Sequence, residues 1–141
     1  MSRTAKTAYL HFIGVFGLIL GVFTGISVET NEGALEAAKW LYENASPEYV
    51  ILKLGSRGAL LYDGKEAKFI PCFKVNAIDS TAAGDTFTAA LAHFYLQGID
   101  IQNATHLAHC AAAISVSRVG AYTSIPTKAE VLAFAEAHPR R

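Results

Sequence analysis

The chain has 141 residues, 52% of them hydrophobic and 17% charged, which is long and apolar enough for a real core. Twelve basic and twelve acidic residues cancel, so the electrostatic footprint of a nucleic-acid binder is missing. Two cysteines, Cys72 and Cys110, without framework spacing exclude a disulfide scaffold and fit reduced thiols in a cytoplasmic protein.

Taken in order, the first stretch is the odd one. Arg3 and Lys6 precede an uncharged run from Thr7 to Val28, rich in Phe, Leu, Ile, Val and Gly. That length would cross a bilayer, and the basic start resembles a signal-peptide n-region, although no small-x-small cleavage site follows. Two readings stand. Residues 1–21 are an atypical hydrophobic segment in front of a domain over 22–141, or residues 7–28 hold the chain at a membrane. The first is preferred.

From Thr30 the pattern becomes regular. Thr30 or Asn31 can cap a helix over 32–43, whose Leu35, Ala38, Leu41 and Tyr42 form an apolar stripe. Asn44-Ala45-Ser46-Pro47 ends it. Tyr49 to Leu54 is a near-continuous apolar run, as expected of a strand buried on both faces. After Gly55-Ser56-Arg57-Gly58, strands are expected at 59–62 and 67–70, joined by the turn pair Asp63-Gly64. Pro71 to Ile78 is expected to lead back into the sheet and deliver Asp79.

The last third reads as helical, with helices near 85–97, 101–118 and 127–137. Asp100 is a cap for the second, Gly120 stops it, and Thr127-Lys128-Ala129-Glu130 is a capping box for the third. The tail from His138 to Arg141 is expected to fray. Strands first and helices afterwards suit one edge and face of an α/β sheet.

The chemistry concentrates in Asp79-Ser80-Thr81-Ala82-Ala83-Gly84-Asp85-Thr86-Phe87. A helix N-terminus leaves its first N–H groups without partners and carries partial positive charge. Small residues at Ala82, Ala83 and Gly84 let an anion approach those groups. Asp85, an acid placed beside an anion site, reads as a base that takes a proton from a hydroxyl about to attack phosphate. The Gly55–Gly58 turn is not a Walker A loop, because no Gly-Lys-Ser/Thr follows at the required spacing. His106, His109 and Cys110 lie at helical spacing, but no second cluster completes a zinc site.

The stretch DSTAAGDTF is similar to the D-T-x-[GA]-A-G-D-[ST]-F signature of the ribokinase-like (PfkB) carbohydrate kinases. The resemblance continues through GSRGALLYDG, LAHCAAAISVSRVGA and TSIPTKAEV, and covers roughly Val22 to Ala137. It implies a partial ribokinase-like α/β sheet, the C-terminal, nucleotide-binding portion of such a fold. It also implies ATP-dependent phosphorylation of a sugar hydroxyl, with Mg²⁺, a monovalent cation such as K⁺, and a ribose-like sugar as partners. By position, Asp85 is the base, and the N–H groups of Ala82, Ala83, Gly84 and Asp85 form the anion hole. Lys53, Leu54, Gly55, Ser56, Arg57 and Gly58 lie along the nucleotide, and His109 lies on the adenine side. The resemblance further implies a cation cage from the Asp79 carboxylate, the carbonyls of Thr81, Ser115, Arg118 and Gly120, and Ser124.

Two departures from the family pattern stand out. Ala82 replaces the usual Gly, and Phe16-Gly17-Leu18-Ile19 stands where the family's N-x-x-E motif belongs. Family members are about twice this length, and the missing half carries the sugar contacts. The chain is therefore expected to be a truncated half that is poorly active alone, unless a homo-oligomer completes it. A non-catalytic nucleotide-binding remnant is the alternative.

Overall fold

The computed structural model describes residues 12–16 and 25–139, which fall into two compact units divided after Pro71.

Among the described residues, the first unit is a four-stranded sheet with one helix. Its elements are β1 (Phe12–Phe16), α1 (Asn31–Ala45), β2 (Tyr49–Lys53), a 3₁₀ turn (Gly55–Arg57), β3 (Ala59–Tyr62) and β4 (Ala67–Ile70). The spatial order is β1-β2-β3-β4. β1 runs parallel to β2 with Phe12 opposite Tyr49, while β2–β3 and β3–β4 are antiparallel. Thr30 caps α1 by accepting the Gly33 N–H at 3.1 Å, and Ser46 ends it in the left-handed region at φ 48. Ala34, Ala37, Ala38 and Leu41 of α1 pack against Val50, Leu52, Leu60 and Tyr62. Ile51 and Leu61, which alternate onto the opposite face, are buried too, so the apolar run of β2 has the two-sided burial its composition required.

β1 lies inside the hydrophobic N-terminal run, of which residues 12–16 are strand rather than helix. Among the described residues no helix is long and apolar enough to cross a membrane. The remainder of the segment read as atypical, residues 1–11 and 17–21, lies outside the described residues, as do 22–24 of the membrane reading.

The second unit contains three helices, α2 (Ala83–Leu96), α3 (Ile101–Val116) and α4 (Lys128–Ala137), with α3 packed against both neighbours. Asp100 caps α3 through the Gln102 and Asn103 N–H groups at 3.1 and 3.0 Å. Thr127 and Glu130 form the expected capping box on α4.

Two expectations are corrected here. Residues 71–78 form no strand. Their path is set instead by the Val116 carbonyl, one of the unsatisfied acceptors at the end of α3, which takes the N–H groups of Ile78 (2.7 Å) and Asp79 (3.1 Å). His138 is not part of a frayed tail. Its ring stacks on Phe134 at 4.1 Å and 18°, and Phe73 meets Phe134 edge-on at 5.2 Å, so two aromatic contacts pin the end of α4.

Candidate active site

The helix that carries Asp85 begins two residues earlier than its polarity pattern suggested. Ala82 is the N-cap, at φ 62 and ψ 6, in the left-handed region that an L residue enters at a cost of roughly 1–2 kcal/mol. Its carbonyl accepts the Thr86 N–H at 2.8 Å, which starts α2, but its methyl cannot cap the first-turn donors. Ala83 donates to the Ser80 carbonyl at 3.2 Å, so this one of the four expected anion-hole donors is already engaged. Among the described residues nothing accepts the N–H groups of Ala82 or Asp85. Asp85 is exposed in the first turn of α2, and Gly84 beside it adds no side chain.

Asp85 also lines a groove of about 370 Å³ along α2, with Ala82, Ala89, His93 and Phe94 on one wall and Lys128 on the other. A carboxylate and open N–H donors therefore share one turn beside a concave, largely apolar surface. That arrangement can hold an anion and accept a proton next to it.

Behind this turn, Asp79 joins two loops. Its Oδ1 accepts the Thr81 N–H and its Oδ2 the Gly120 N–H, each at 2.9 Å. Hydrogen bonds from Thr81 and then Gly120 hold the carboxyl down at about 2. Ser115 and Ser124, both fully buried, share a hydroxyl contact at 3.1 Å, and Ser124 donates to the Ala121 carbonyl at 2.9 Å. Arg118 donates its N–H to the Ser115 carbonyl at 3.1 Å, and its guanidinium pairs with Glu130 at 2.6 Å. Arg118, followed by the Thr127 N–H and hydroxyl, lowers the Glu130 carboxyl to about 2. The structure thus brings Asp79, Thr81 and Gly120 together, and separately Ser115, Ser124 and Arg118. The Val116 carbonyl connects the two groups through the Asp79 N–H.

His109 lies on α3, only 5% exposed, with its ring tilted against Phe87 at 4.9 Å. It is a wall of the α2–α3 packing. Cys110 beside it is buried, and burial pushes its thiol up to about 11, which leaves it unreactive. Among the described residues no three His, Cys, Asp or Glu side chains gather as metal ligands.

In the first unit, the turn after β2 closes on itself. The Leu54 N–H donates to the Gly58 carbonyl at 2.8 Å, and the Gly58 N–H to Gly55 at 3.1 Å. Gly55 and Gly58 sit at φ 61 and 99, which explains both glycines of the G-x-x-G pattern. Lys53 ends β2 opposite Ala59, Leu54 is buried and Ser56 is exposed. Arg57 donates a guanidinium N–H to the Val28 carbonyl.

Sequence reasoning missed the Arg118–Glu130 pair and the aromatic cluster around Phe73. Glu130 had its signal in the capping box, but its second partner lies twelve residues upstream. Phe73 offered no signal, since its partners lie far along the chain, His106 on α3 and Phe134 and His138 at the end of α4.

Comparison with known proteins identifies the family and the fold. The sequence profile described as pfkB family carbohydrate kinase matches residues 19–128. Ribokinase of Haemophilus influenzae is 36% identical over 115 residues, 82% of this chain and 37% of the relative. The crystal structure of Thermotoga maritima ribokinase superposes with a TM-score of 0.78 at 38% identity, covering 92% of this chain and 43% of that one. Arabidopsis thaliana ribokinase, solved in complex with ribose and ATP, gives 0.81 at 30% identity over 87% of this chain and 40% of that one. The chain belongs to the pfkB family of carbohydrate kinases, has the ribokinase-type fold, and spans well under half the length of these relatives.

Proposed function

We propose that the chain carries the ATP-binding and catalytic-base portion of a ribokinase-type sugar kinase, acting on a hydroxyl of a ribose-like sugar. The observation that supports it most is the shared turn of Asp85 and the open N–H donors of Ala82 and Asp85 beside the groove. In this reading the Asp85 carboxylate accepts the hydroxyl proton as the sugar oxygen attacks the γ-phosphorus in line. The bond from that phosphorus to the bridging oxygen of ADP breaks. The backbone donors at Ala82, Gly84 and Asp85 stabilise the charge on the transferring group, each worth roughly 3 kcal/mol in comparable sites. Ala83 contributes by position, since its own N–H is held by Ser80.

Lys53, Leu54 and the Gly55–Gly58 turn, with Ser56 and Arg57, are the nucleotide neighbours in this reading. His109 belongs to the adenine side through the packing it supports. By residue type the expected cage suits a monovalent cation such as K⁺, since carboxylate, carbonyl and hydroxyl oxygens are hard ligands and the Asp79 carboxylate stays ionised. The Asp79 carboxylate, the carbonyls of Thr81, Ser115, Arg118 and Gly120, and Ser124 would hold it; such a charge would steady the loop before Ala82. Mg²⁺ would enter with the nucleotide and neutralise phosphate charge.

Positioning supplies much of the catalysis in phosphoryl transfer. The chain spans 37% of the Haemophilus relative, and none of its motifs positions a sugar. Isolated chain is therefore expected to hydrolyse ATP slowly and to phosphorylate ribose poorly. The test is ADP release by purified protein with and without ribose, beside Asp85→Asn. Loss of ATP hydrolysis in the variant supports the role of Asp85. Robust ribose-dependent turnover that survives the substitution overturns it.

A further inference from the structure

The turn after β2 is held by a residue from far upstream. β1 and β2 run parallel with Phe16 opposite Lys53, so the two strands finish at the same end of the sheet, the end at which open α/β sheets bind ligands. Two of the four residues of the Gly55–Gly58 turn are glycines, so Ser56 and Arg57 supply all its side chains. Arg57 is exposed, yet its guanidinium donates to the Val28 carbonyl, 29 residues away in sequence. That carbonyl belongs to a well-anchored segment. Ile26 and Val28 pack against the core between α1 and the sheet. The Ser27 hydroxyl accepts the Glu29 N–H at 3.4 Å, and Thr30 caps α1. Gly33, in the first turn of α1, lies so close that a side chain there would run into the Ser27 carbonyl.

We propose that Arg57 is a positioning residue, a strap that holds the Gly55–Gly58 turn against the entry to α1 and serves nucleotide binding through the backbone of that turn. The proposal rests on the reading of the turn as a nucleotide neighbour, and it says where the guanidinium acts. An arginine that reads phosphate presents its planar fork to charged oxygens, often through two parallel hydrogen bonds. Here an Nη2 donor of the fork is committed to a neutral backbone oxygen. The turn itself is a single short 3₁₀ element, closed by the Leu54 N–H on the Gly58 carbonyl at 2.8 Å and by the longer Arg57 N–H to Leu54 carbonyl bond at 3.3 Å. Glycine at both of its ends leaves the backbone wide conformational freedom. Tying Arg57 to Val28 removes that freedom before a ligand arrives, and such preorganisation lowers the cost of binding. The benefit is the same for any ligand that lies on the turn, whatever its number of phosphates. Salt does not screen it, because the acceptor carries no charge.

Calorimetric titration of the full chain with ATP, ADP and adenosine, at about 50 and about 500 mM NaCl, tests this. Losing one hydrogen bond is expected to make Arg57→Met bind all three about 5-fold more weakly, by the same factor at both salt concentrations. Arg57→Lys keeps a donor at similar reach and is expected to recover to within about 2-fold of wild type. In the unliganded chain, Arg57→Met is expected to speed amide exchange at Leu54 and Gly58 about 5-fold and to leave Ala38 and Leu41 of α1 unchanged, a local pattern that general unfolding does not produce. A loss graded from ATP through ADP to adenosine, or one that shrinks at high salt, means that the guanidinium acts on phosphate and overturns the proposal. Unchanged affinity, unchanged exchange at Leu54 and Gly58, or no recovery with lysine overturns it as well. A wild-type chain that binds none of the three ligands overturns the nucleotide reading itself, and this proposal with it.

Discussion

The Asp79 carboxylate accepts the Gly120 N–H at 2.9 Å, tying the loop that enters α2 to the loop that leaves α3. Its other oxygen holds Thr81, so one ionised side chain fixes the geometry of the turn on which Ala82 and Asp85 depend. Folded Asp79 titrates at about 2, against an ordinary value of 3.8. A depressed carboxyl stabilises the fold fully above its unfolded pKa, and that contribution disappears as pH falls through the folded one. Asp79→Asn is expected to lower the melting temperature at neutral pH and to flatten its decline between pH 4 and 2. Glu130 is lowered to about 2 as well, so the comparison is between wild type and variant at each pH. Identical acid profiles for the two proteins would contradict this assignment.

Ala82 holds a left-handed conformation at φ 62 without a side-chain cap. Ala82→Gly is expected to stabilise the protein by about 0.5 kcal/mol, the relief of strain exceeding the extra chain entropy of glycine. Ala82→Val is expected to cost about 1–2 kcal/mol, because a β-branched residue tolerates that region worst. Urea titrations of the three proteins measure both.

A side chain at Gly64 would meet Tyr42: an added methyl lies 2.6 Å from Cε1, at a backbone φ of +88. Gly64→Ala is therefore expected to destabilise by about 2 kcal/mol or more. The steric part of that loss should vanish in a Tyr42→Ala background, where only the backbone strain remains. A double-mutant cycle by thermal melting separates the two.

Gly84 sits in the first turn of α2, between Ala83 and Asp85. Gly84→Val would raise a branched wall over the open N–H groups and is expected to weaken ATP binding about 100-fold, with the melting temperature little changed. Isothermal titration with a non-hydrolysable ATP analogue is the measurement, and unchanged affinity would show that the anion hole is elsewhere.

Thr127 closes the capping box of α4 with Glu130. Thr127→Ala is expected to cost about 1 kcal/mol, the typical value for losing an N-cap. Amide exchange should show the effect concentrated in the first turn of α4. A uniform increase across the second unit would instead mean that α4 opens only with the whole unit.

Much of this was legible in the residues. β3 and β4 fall on the expected positions and β2 stops one residue short, because alternation and the Asp63-Gly64 turn are local signals. Asp63 shows the mechanism: its Oδ1 accepts the N–H groups of Lys65 and Glu66 at 2.8 and 2.7 Å, and its own N–H donates to the Glu66 carbonyl at 3.3 Å, so one residue closes the turn. What stayed hidden was decided by partners far off in the chain. Residues 71–78, expected to lead back into the sheet, contain no strand, and the N–H groups of Ile78 and Asp79 go to the Val116 carbonyl at the end of α3. His138 reads as a polar tail residue until Phe134 and Phe73 are seen around it. At the candidate site, the residue types Asp85, Gly84 and Ala82 were readable. The loss of the Ala83 N–H to Ser80 required the conformation of the turn itself.

The mixed sheet also sets an order of events during folding. β3 and β4 pair across a short turn, with Tyr62 opposite Ala67, and β2 joins them through the compact Gly55–Gly58 loop. β1 can pair only after the chain between Phe12 and Tyr49 has been brought round, with α1 formed in the crossover. Closing a long segment delays its reward, whereas the meander gains hydrogen bonds at once. Substitutions at Leu60 or Leu61 should therefore slow refolding, while changes confined to β1 should chiefly speed unfolding.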